Sequence, residues 1–283
     1  SGTAAAVADC MAPIGFATQT AGSIIRPASF CGVVGYKPTL DAFSMNGIMP
    51  LSESLDAVGL MARSVNDIIL GRSVLVGEGA VQKGQVAGRA PRIGFMRGPH
   101  WQDASEAMRD NCEKAAELLA AQDAAVSDVT PPPVFAHLAD AQKKIMAHEI
   151  ARSRSHEYKT YYDVLSAHYR GLIEDGRAVS DADYTRAQEL AKEGMHVVAQ
   201  LFQSIDVILT PAAPGEAPEG LGATGDPIFN RIWTLLQLPC VSLPFGEGPH
   251  NLPLSAQLVS GRNTDAHLLE FCSWIENRFS KNT

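Results

Sequence analysis

The chain has 283 residues, 46% hydrophobic and 19% charged, with 23 Lys and Arg against 31 Asp and Glu for a formal charge of −8. That length buries roughly three quarters of its unfolded surface, which excludes wholesale disorder, and the acidic balance excludes a protein held mainly by phosphate contacts. No apolar run approaches the roughly 18 residues a membrane span needs.

Along the chain, residues 3–8 predict the start of a buried helix and residues 13–18 a short strand. Gly22 and Pro27 then predict a loop, followed by a small-residue segment over 31–39 that ends at Pro38-Thr39. Ser64 predicts a helix N-cap with Asp67 in the first turn, and Val65, Ile68, Ile69 and Leu75 supply an apolar stripe. Residues 77–90 read as a surface linker. A strand follows over 92–96, an amphipathic helix over 104–122 and a strand over 126–129. Residues 134–204 read as mostly helical, with Ser180 and Asp183 opening the last helix in a capping-box arrangement. Residues 206–211 predict a buried strand, 227–238 a helix, 240–244 and 254–259 paired strands, and 265–279 a closing helix. Short apolar strands alternating with helices imply an α/β domain with a mostly buried sheet.

The five cysteines, Cys10, Cys31, Cys112, Cys240 and Cys272, are scattered with no Cys-x-x-Cys pair. They point to reduced thiols in a cytoplasm rather than to a disulfide frame or structural zinc. His148-Glu149 and His156-Glu157 lack the spacing of a helical zinc site and read as helical surface. Gly32 to Gly35 is no phosphate loop, and no metal, nucleotide or other cofactor is expected. Phe229 and Trp233 have two readings, core residues or the lining of an acyl pocket.

The informative stretch is Thr18-Gln19-Thr20-Ala21-Gly22-Ser23-Ile24-Ile25-Arg26-Pro27. A serine after two small residues, in a loop leaving a strand, can be exposed at a sheet edge. The small Ala21 and Gly22 let a substrate carbonyl approach the backbone, whose successive N–H groups can form an oxyanion hole. By local sequence alone the alternative stands beside it: Ser23 as a turn or cap serine and Arg26 as a surface cation.

The run Ser1-Gly2-Thr3-Ala4-Ala5-Ala6-Val7-Ala8, the stretch ending in Gly22-Ser23-Ile24-Ile25-Arg26, and Cys31-Gly32-Val33-Val34-Gly35-Tyr36-Lys37-Pro38-Thr39 together resemble the core of the amidase signature family. Leu55-Asp56-Ala57-Val58-Gly59-Leu60-Met61-Ala62-Arg63 continues the likeness, as do residues 225–234 and 252–259. The resemblance implies a central mixed β-sheet flanked by helices on both faces. It implies one domain over 1–283, with a signature core at 1–76, a linker-like 77–91 and a remainder at 92–283 carrying a helical insertion about 134–204.

The activity implied is hydrolysis of a small carboxamide through a serine acyl-enzyme. Ser23 matches the nucleophile, and Thr20, Ala21, Gly22 and Ser23 match the backbone oxyanion hole. The family's other catalytic groups are a serine in a cis peptide, expected two residues before Ser1, and a neutral lysine further upstream. Neither has a match here, so the chain is expected to be an N-terminally truncated piece, inactive alone, whose core exposes apolar surface. Lys37 falls in the Lys-Pro-Thr element, structural in the family. Ala21 stands where glycine is usual, a change that matters only if the position needs positive φ. Arg26 either meets a substrate carboxylate, as a matching arginine does in some members, or ties a loop. The rival functions are a catalytically incomplete scaffold and an amidotransferase component of the A type. The partner expected is a small-molecule amide, with no direct nucleic-acid or membrane contact and a homodimer left open.

Overall fold

The computed structural model describes residues 1–77 and 89–279. The strands are β1 (Ile14–Gln19), β2 (Val34–Lys37), β3 (Ala57–Ala62), β4 (Arg92–Phe95), β5 (Ala125–Asp128), β6 (Val207–Pro211), β7 (Cys240–Glu247) and β8 (Pro253–Val259). The helices are α1 (Gly2–Ala8), α2 (Ile25–Phe30), α3 (Val65–Leu75), α4 (Glu106–Ala120), α5 (Phe135–Ser153), α6 (Ser155–Thr160), α7 (Ala167–Ala178), α8 (Asp181–Leu201), α9 (Ile228–Leu235) and α10 (Asp265–Phe279). The linker predicted over 77–90 lies mostly outside the described residues.

The strands form one mixed sheet in the order β1-β3-β2-β7-β8-β6-β4-β5. Pairing is antiparallel from β1 across to β6 and parallel for β6-β4 and β4-β5. Every residue of β2, β3 and β6 is buried, as a sheet covered on both faces requires. Neighbouring residues of β3 show the two coverings. A Cβ on Gly59 would meet Ile24 Cδ1 of the α2 side at 2.7 Å, whereas Leu60 Cδ1 lies 2.9 Å from a Cβ built on Gly71 of α3. Successive strand residues face opposite ways, so α2 and α3 lie on opposite faces.

Local signals account for most helix starts. The hydroxyls of Ser64, Ser105, Ser166 and Ser180 each accept from the amide three residues on, the donors being Asp67, Met108, Tyr169 and Asp183. The charged stretch 134–204 is helical as expected, in the four helices α5 to α8.

Three elements differ from the sequence reading, one of them β2, a buried strand inside the small-residue segment over 31–39. Residues 25–30 are a helix and not a loop: Pro27 sits in the first turn, where its missing N–H has no intrahelical acceptor to lose. Strand β3 went unassigned because a six-residue run buried on both sides lacks the alternation that marks a half-exposed strand. On the outer strand β1 and the adjacent helix α3, Phe16, Leu70, Val74 and Leu75 are exposed, as is Met11 just before β1. No helix among the described residues is long and apolar enough to cross a membrane.

Asp265 fastens α10 to the segment after β2. It accepts from the Tyr36 hydroxyl at 2.7 Å and from the Thr39 amide and hydroxyl at 2.9 and 2.6 Å. Lys37 is wholly buried beside it, and its Nζ donates to the Pro38 carbonyl at 2.8 Å. Burial pulls the Lys37 ammonium below the usual lysine value, with Cys240 and Asp265 opposing. The Cys240 thiol is pushed up to about 12 by the same burial.

At the other end of the sheet, Asp206 accepts from Arg89 at 2.6 Å and from Arg92 at 2.8 Å. Burial raises its carboxyl, but the arginine hydrogen bonds outweigh this and hold it well below the usual range. A carboxylate with a depressed folded pKa adds stability above its unfolded value, about 4, and loses it as pH falls towards the folded one. Asp206→Asn therefore lowers the urea midpoint most at pH 7, and the gap to the parent narrows as pH falls below about 4. Midpoints measured across that range check it; a gap independent of pH contradicts it.

Candidate active site

The turn between β1 and α2 is built around Gln19, the last residue of the strand and fully buried. Its Oε1 accepts from the Ile24 and Ile25 amides at 2.9 and 3.1 Å, which satisfies the start of α2 from the strand before it. Its Nε2 donates to the Thr234 hydroxyl on α9 at 3.0 Å, and that hydroxyl donates to the Ala21 carbonyl at 2.8 Å. Strand, turn and α9 are thus closed into one ring.

Thr20 is held from two further directions. Its hydroxyl donates to Asp56 Oδ1 at 2.5 Å, and its carbonyl accepts from Gln142 Nε2 of α5 at 2.9 Å. Asp56 is buried and also accepts from the Leu51 and Ser52 amides at 2.6 and 2.9 Å. Glu149 then ties that segment to the helices. It accepts from the Ser52 hydroxyl, the Ser54 amide and hydroxyl, and the Tyr184 hydroxyl, at 2.6 to 3.1 Å. His148 stacks on Tyr184, 4.3 Å between ring centroids, and is 7% exposed. The helical-surface reading of His148-Glu149 is therefore wrong, since both sit where α5 meets α8; His156 is exposed as expected.

With the Thr20 and Ala21 carbonyls tied down, the uncommitted polar groups of the turn are its amides. The N–H groups of Ala21, Gly22 and Ser23 donate to nothing among the described residues. Ser23 is exposed, and its hydroxyl has no partner among them. Gly22 is needed for space: a Cβ there would lie 2.4 Å from Asn230 Oδ1 and 2.6 Å from Pro227 Cβ. Ala21 is not in the positive-φ region, so alanine in place of glycine carries no backbone strain.

Arg26 is 8% exposed, which rules out the surface-cation reading. Its Nη2 donates to the Thr224 hydroxyl at 3.1 Å. Phe229 and Trp233 are buried, as the core reading expects, and with Met96, His100, Phe135 and Thr210 they line a small pocket that includes no residue of the Ser23 turn. Among the described residues no group of three His, Cys, Asp or Glu is placed to hold a metal. Gln19, Asp56, Gln142, Asn230 and Thr234 were given no role from sequence. Gln19, Asp56, Asn230 and Thr234 lie inside the quoted motifs, while nothing local marks Gln142.

The sequence profile of the amidase family matches residues 1–269. The chain belongs to the amidase family. The A-type component of the glutamyl-tRNA(Gln) amidotransferase of Neorickettsia sennetsu is 27% identical over 99% of this amidase chain and 67% of its own length. Its counterpart of the same name from Wolbachia pipientis wMel is 30% identical over 97% of the chain and 65% of its own. The crystal structure of an amidase superposes with a TM-score of 0.89 at 27% identity, covering 98% of this chain and 65% of that one. The chain spans about two thirds of the length of these relatives. The eight-stranded mixed sheet with its helices is the amidase fold.

In this amidase the Asp56 carboxylate positions the turn. Asp56→Asn replaces one acceptor oxygen by a donor, although three donors point at the pair. The expected loss is about 2 kcal/mol of stability, from a buried donor left unmatched. If the turn amides serve catalysis, kcat falls about tenfold, because those amides are displaced rather than removed. Thermal melts and steady-state kinetics check both; an unchanged kcat contradicts the positioning role.

Proposed function

We propose that Ser23 is the nucleophile of an amidohydrolase and that the amides of Thr20, Ala21, Gly22 and Ser23 form its oxyanion hole. Ser23 Oγ adds to the carboxamide carbon as a base takes its proton. The carbonyl oxygen takes up charge against the turn amides. The C–N bond then breaks, ammonia or an amine leaves with a proton, and water hydrolyses the ester on Ser23 to the carboxylate. The observation that carries this reading is the exposed Ser23 hydroxyl beside three uncommitted amides on a turn held by four side chains, Gln19, Asp56, Gln142 and Thr234.

A serine hydroxyl is a weak nucleophile until a neighbour removes its proton. Lys37 is not that neighbour, being enclosed and hydrogen-bonded beside Asp265. The test is ammonia release from a small carboxamide by the active protein and by its Ser23→Ala variant. Release by the parent and its loss in Ser23→Ala are expected. Turnover by Ser23→Ala at the parent's rate overturns the nucleophile.

The amidotransferase relatives favour a second reading, in which the same site works as the A-type component of an assembly. Co-purification of the tagged protein from its own cells with stoichiometric partner proteins selects that reading, and a lone species selects the stand-alone hydrolase.

A further inference from the structure

Between β2 and β3 the chain forms neither helix nor strand, yet this connection carries Asp56, which accepts from the Thr20 hydroxyl at 2.5 Å. A segment without a helix or ladder to satisfy its backbone must find partners elsewhere. One helix supplies them. Arg154, at the C-terminal end of α5, donates Nη2 to the Pro50 carbonyl, and Ser153 donates its hydroxyl to the Leu51 carbonyl at 2.8 Å. Glu149 takes the next two residues in reach. Its Oε2 accepts from the Ser52 hydroxyl at 2.6 Å and the Ser54 amide at 3.1 Å. Its Oε1 accepts from the Ser54 hydroxyl at 2.7 Å and from the Tyr184 hydroxyl of α8 at 2.8 Å.

Gln142, Glu149 and Ser153 stand seven and then four residues apart, so they share one face of α5. That face reaches the Ser23 turn by two routes. Gln142 donates directly to the Thr20 carbonyl at 2.9 Å. Glu149 sets Ser52 and Ser54, and the Leu51 and Ser52 amides donate to Asp56 Oδ2 at 2.6 and 2.9 Å, which leaves Oδ1 to the Thr20 hydroxyl. One helix thus grips Thr20 by its backbone and by its side chain. Glu149 makes no ion pair among the described residues, and its four donors are neutral. Hydrogen bonds to an ionised carboxylate are short and strong, which suits an anchor.

We infer that Glu149 is a positioning residue for the reaction at Ser23. It acts through Ser52, Ser54 and Asp56 to fix Thr20, and with it the amides of Ala21, Gly22 and Ser23. This rests on the reading of Ser23 as nucleophile.

In the active protein Glu149→Ala is expected to lower kcat about fivefold with KM within about twofold. Glu149→Gln should recover most of the loss, because Oε1 meets only hydroxyls, which accept as well as donate, so an amide nitrogen finds partners there. In an Asp56→Asn background Glu149→Ala should cost less than about twofold more, since that route is already broken. Ser54→Ala, a milder change, keeps the test open if Glu149→Ala folds poorly: kcat should fall about threefold, and again not in the Asp56→Asn background. Asp206→Asn, at the other end of the sheet, should lower the urea midpoint and leave kcat alone. Losses that multiply in the double variants, Glu149→Gln no better than Glu149→Ala, or an unchanged kcat in an enzyme that needs Ser23 overturns the positioning role.

Hydrogen exchange reads the turn apart from the chemistry. The Ile24 and Ile25 amides, held by Gln19 next to Thr20, should exchange faster in Glu149→Ala than in Asp206→Asn. Equal exchange in the two overturns the route from Glu149 to the turn. Faster exchange in Glu149→Ala, with Ser23→Ala turning over at the parent's rate, overturns the nucleophile alone.

Discussion

Gly22→Ala is expected to cost the active amidase at least about 100-fold in kcat/KM and to destabilise the fold by about 2 kcal/mol. The new methyl group would sit 2.4 Å from Asn230 Oδ1 and 2.6 Å from Pro227 Cβ. Neither neighbour can step aside cheaply. Asn230 is fully buried, and its Nδ2 is held by the Ala212 carbonyl at 3.0 Å and by Gln257 Oε1 at 3.2 Å. Gln257 is in turn fixed to the Pro211 and Phe229 carbonyls at 3.1 and 3.0 Å. The turn must therefore move, and its amides move with it. Ala21→Gly is the matched control: that residue has an ordinary φ, so activity should stay within about twofold. Steady-state kinetics and thermal melts on both variants check this. A Gly22→Ala enzyme that works like its parent contradicts the tight seat on α9.

Gln19→Leu is expected to be the most destabilising of the single substitutions considered, at about 4 kcal/mol. The volume is nearly conserved, so the loss comes from hydrogen bonds. The Ile24 and Ile25 amides lose their acceptor in a fully buried setting, at about 1–3 kcal/mol each. The Thr234 hydroxyl keeps its bond to the Ala21 carbonyl and loses the one it accepts. Thr234→Val, which removes the other side of that contact, should cost less, because the two amides remain capped by Gln19. Urea unfolding of the two variants gives the order directly, and a Gln19→Leu loss below about 1 kcal/mol contradicts it.

Features set by neighbours in sequence were legible before the structure. Ser64 and Ser180 cap helices because the amide they accept from is three residues away. The strands over 206–211, 240–244 and 254–259 show themselves as short apolar runs. The site was legible by another route. Local sequence left Ser23 between an exposed serine beside a small-residue turn and a plain turn serine, and the likeness of the whole run to a family is what points to it as a nucleophile. What went unread depends on distance along the chain. Thr20 meets Asp56 across 36 residues, Gln142 meets Thr20 across 122, and Gln19 meets Thr234 across 215. No periodicity carries such contacts. The surface-cation reading of Arg26 and the surface reading of His148 failed for the same reason: polar residues on helices read as surface until the elements covering them are known.

The most direct test of Ser23 as nucleophile is covalent capture. The active protein is inactivated with phenylmethylsulfonyl fluoride and digested, and peptide masses are followed against the loss of amide hydrolysis. The sulfonyl group is expected on Ser23, in step with the fall in activity and absent from the Ser23→Ala variant. Complete inactivation with the Ser23 peptide unmodified would show that another residue carries the acyl group.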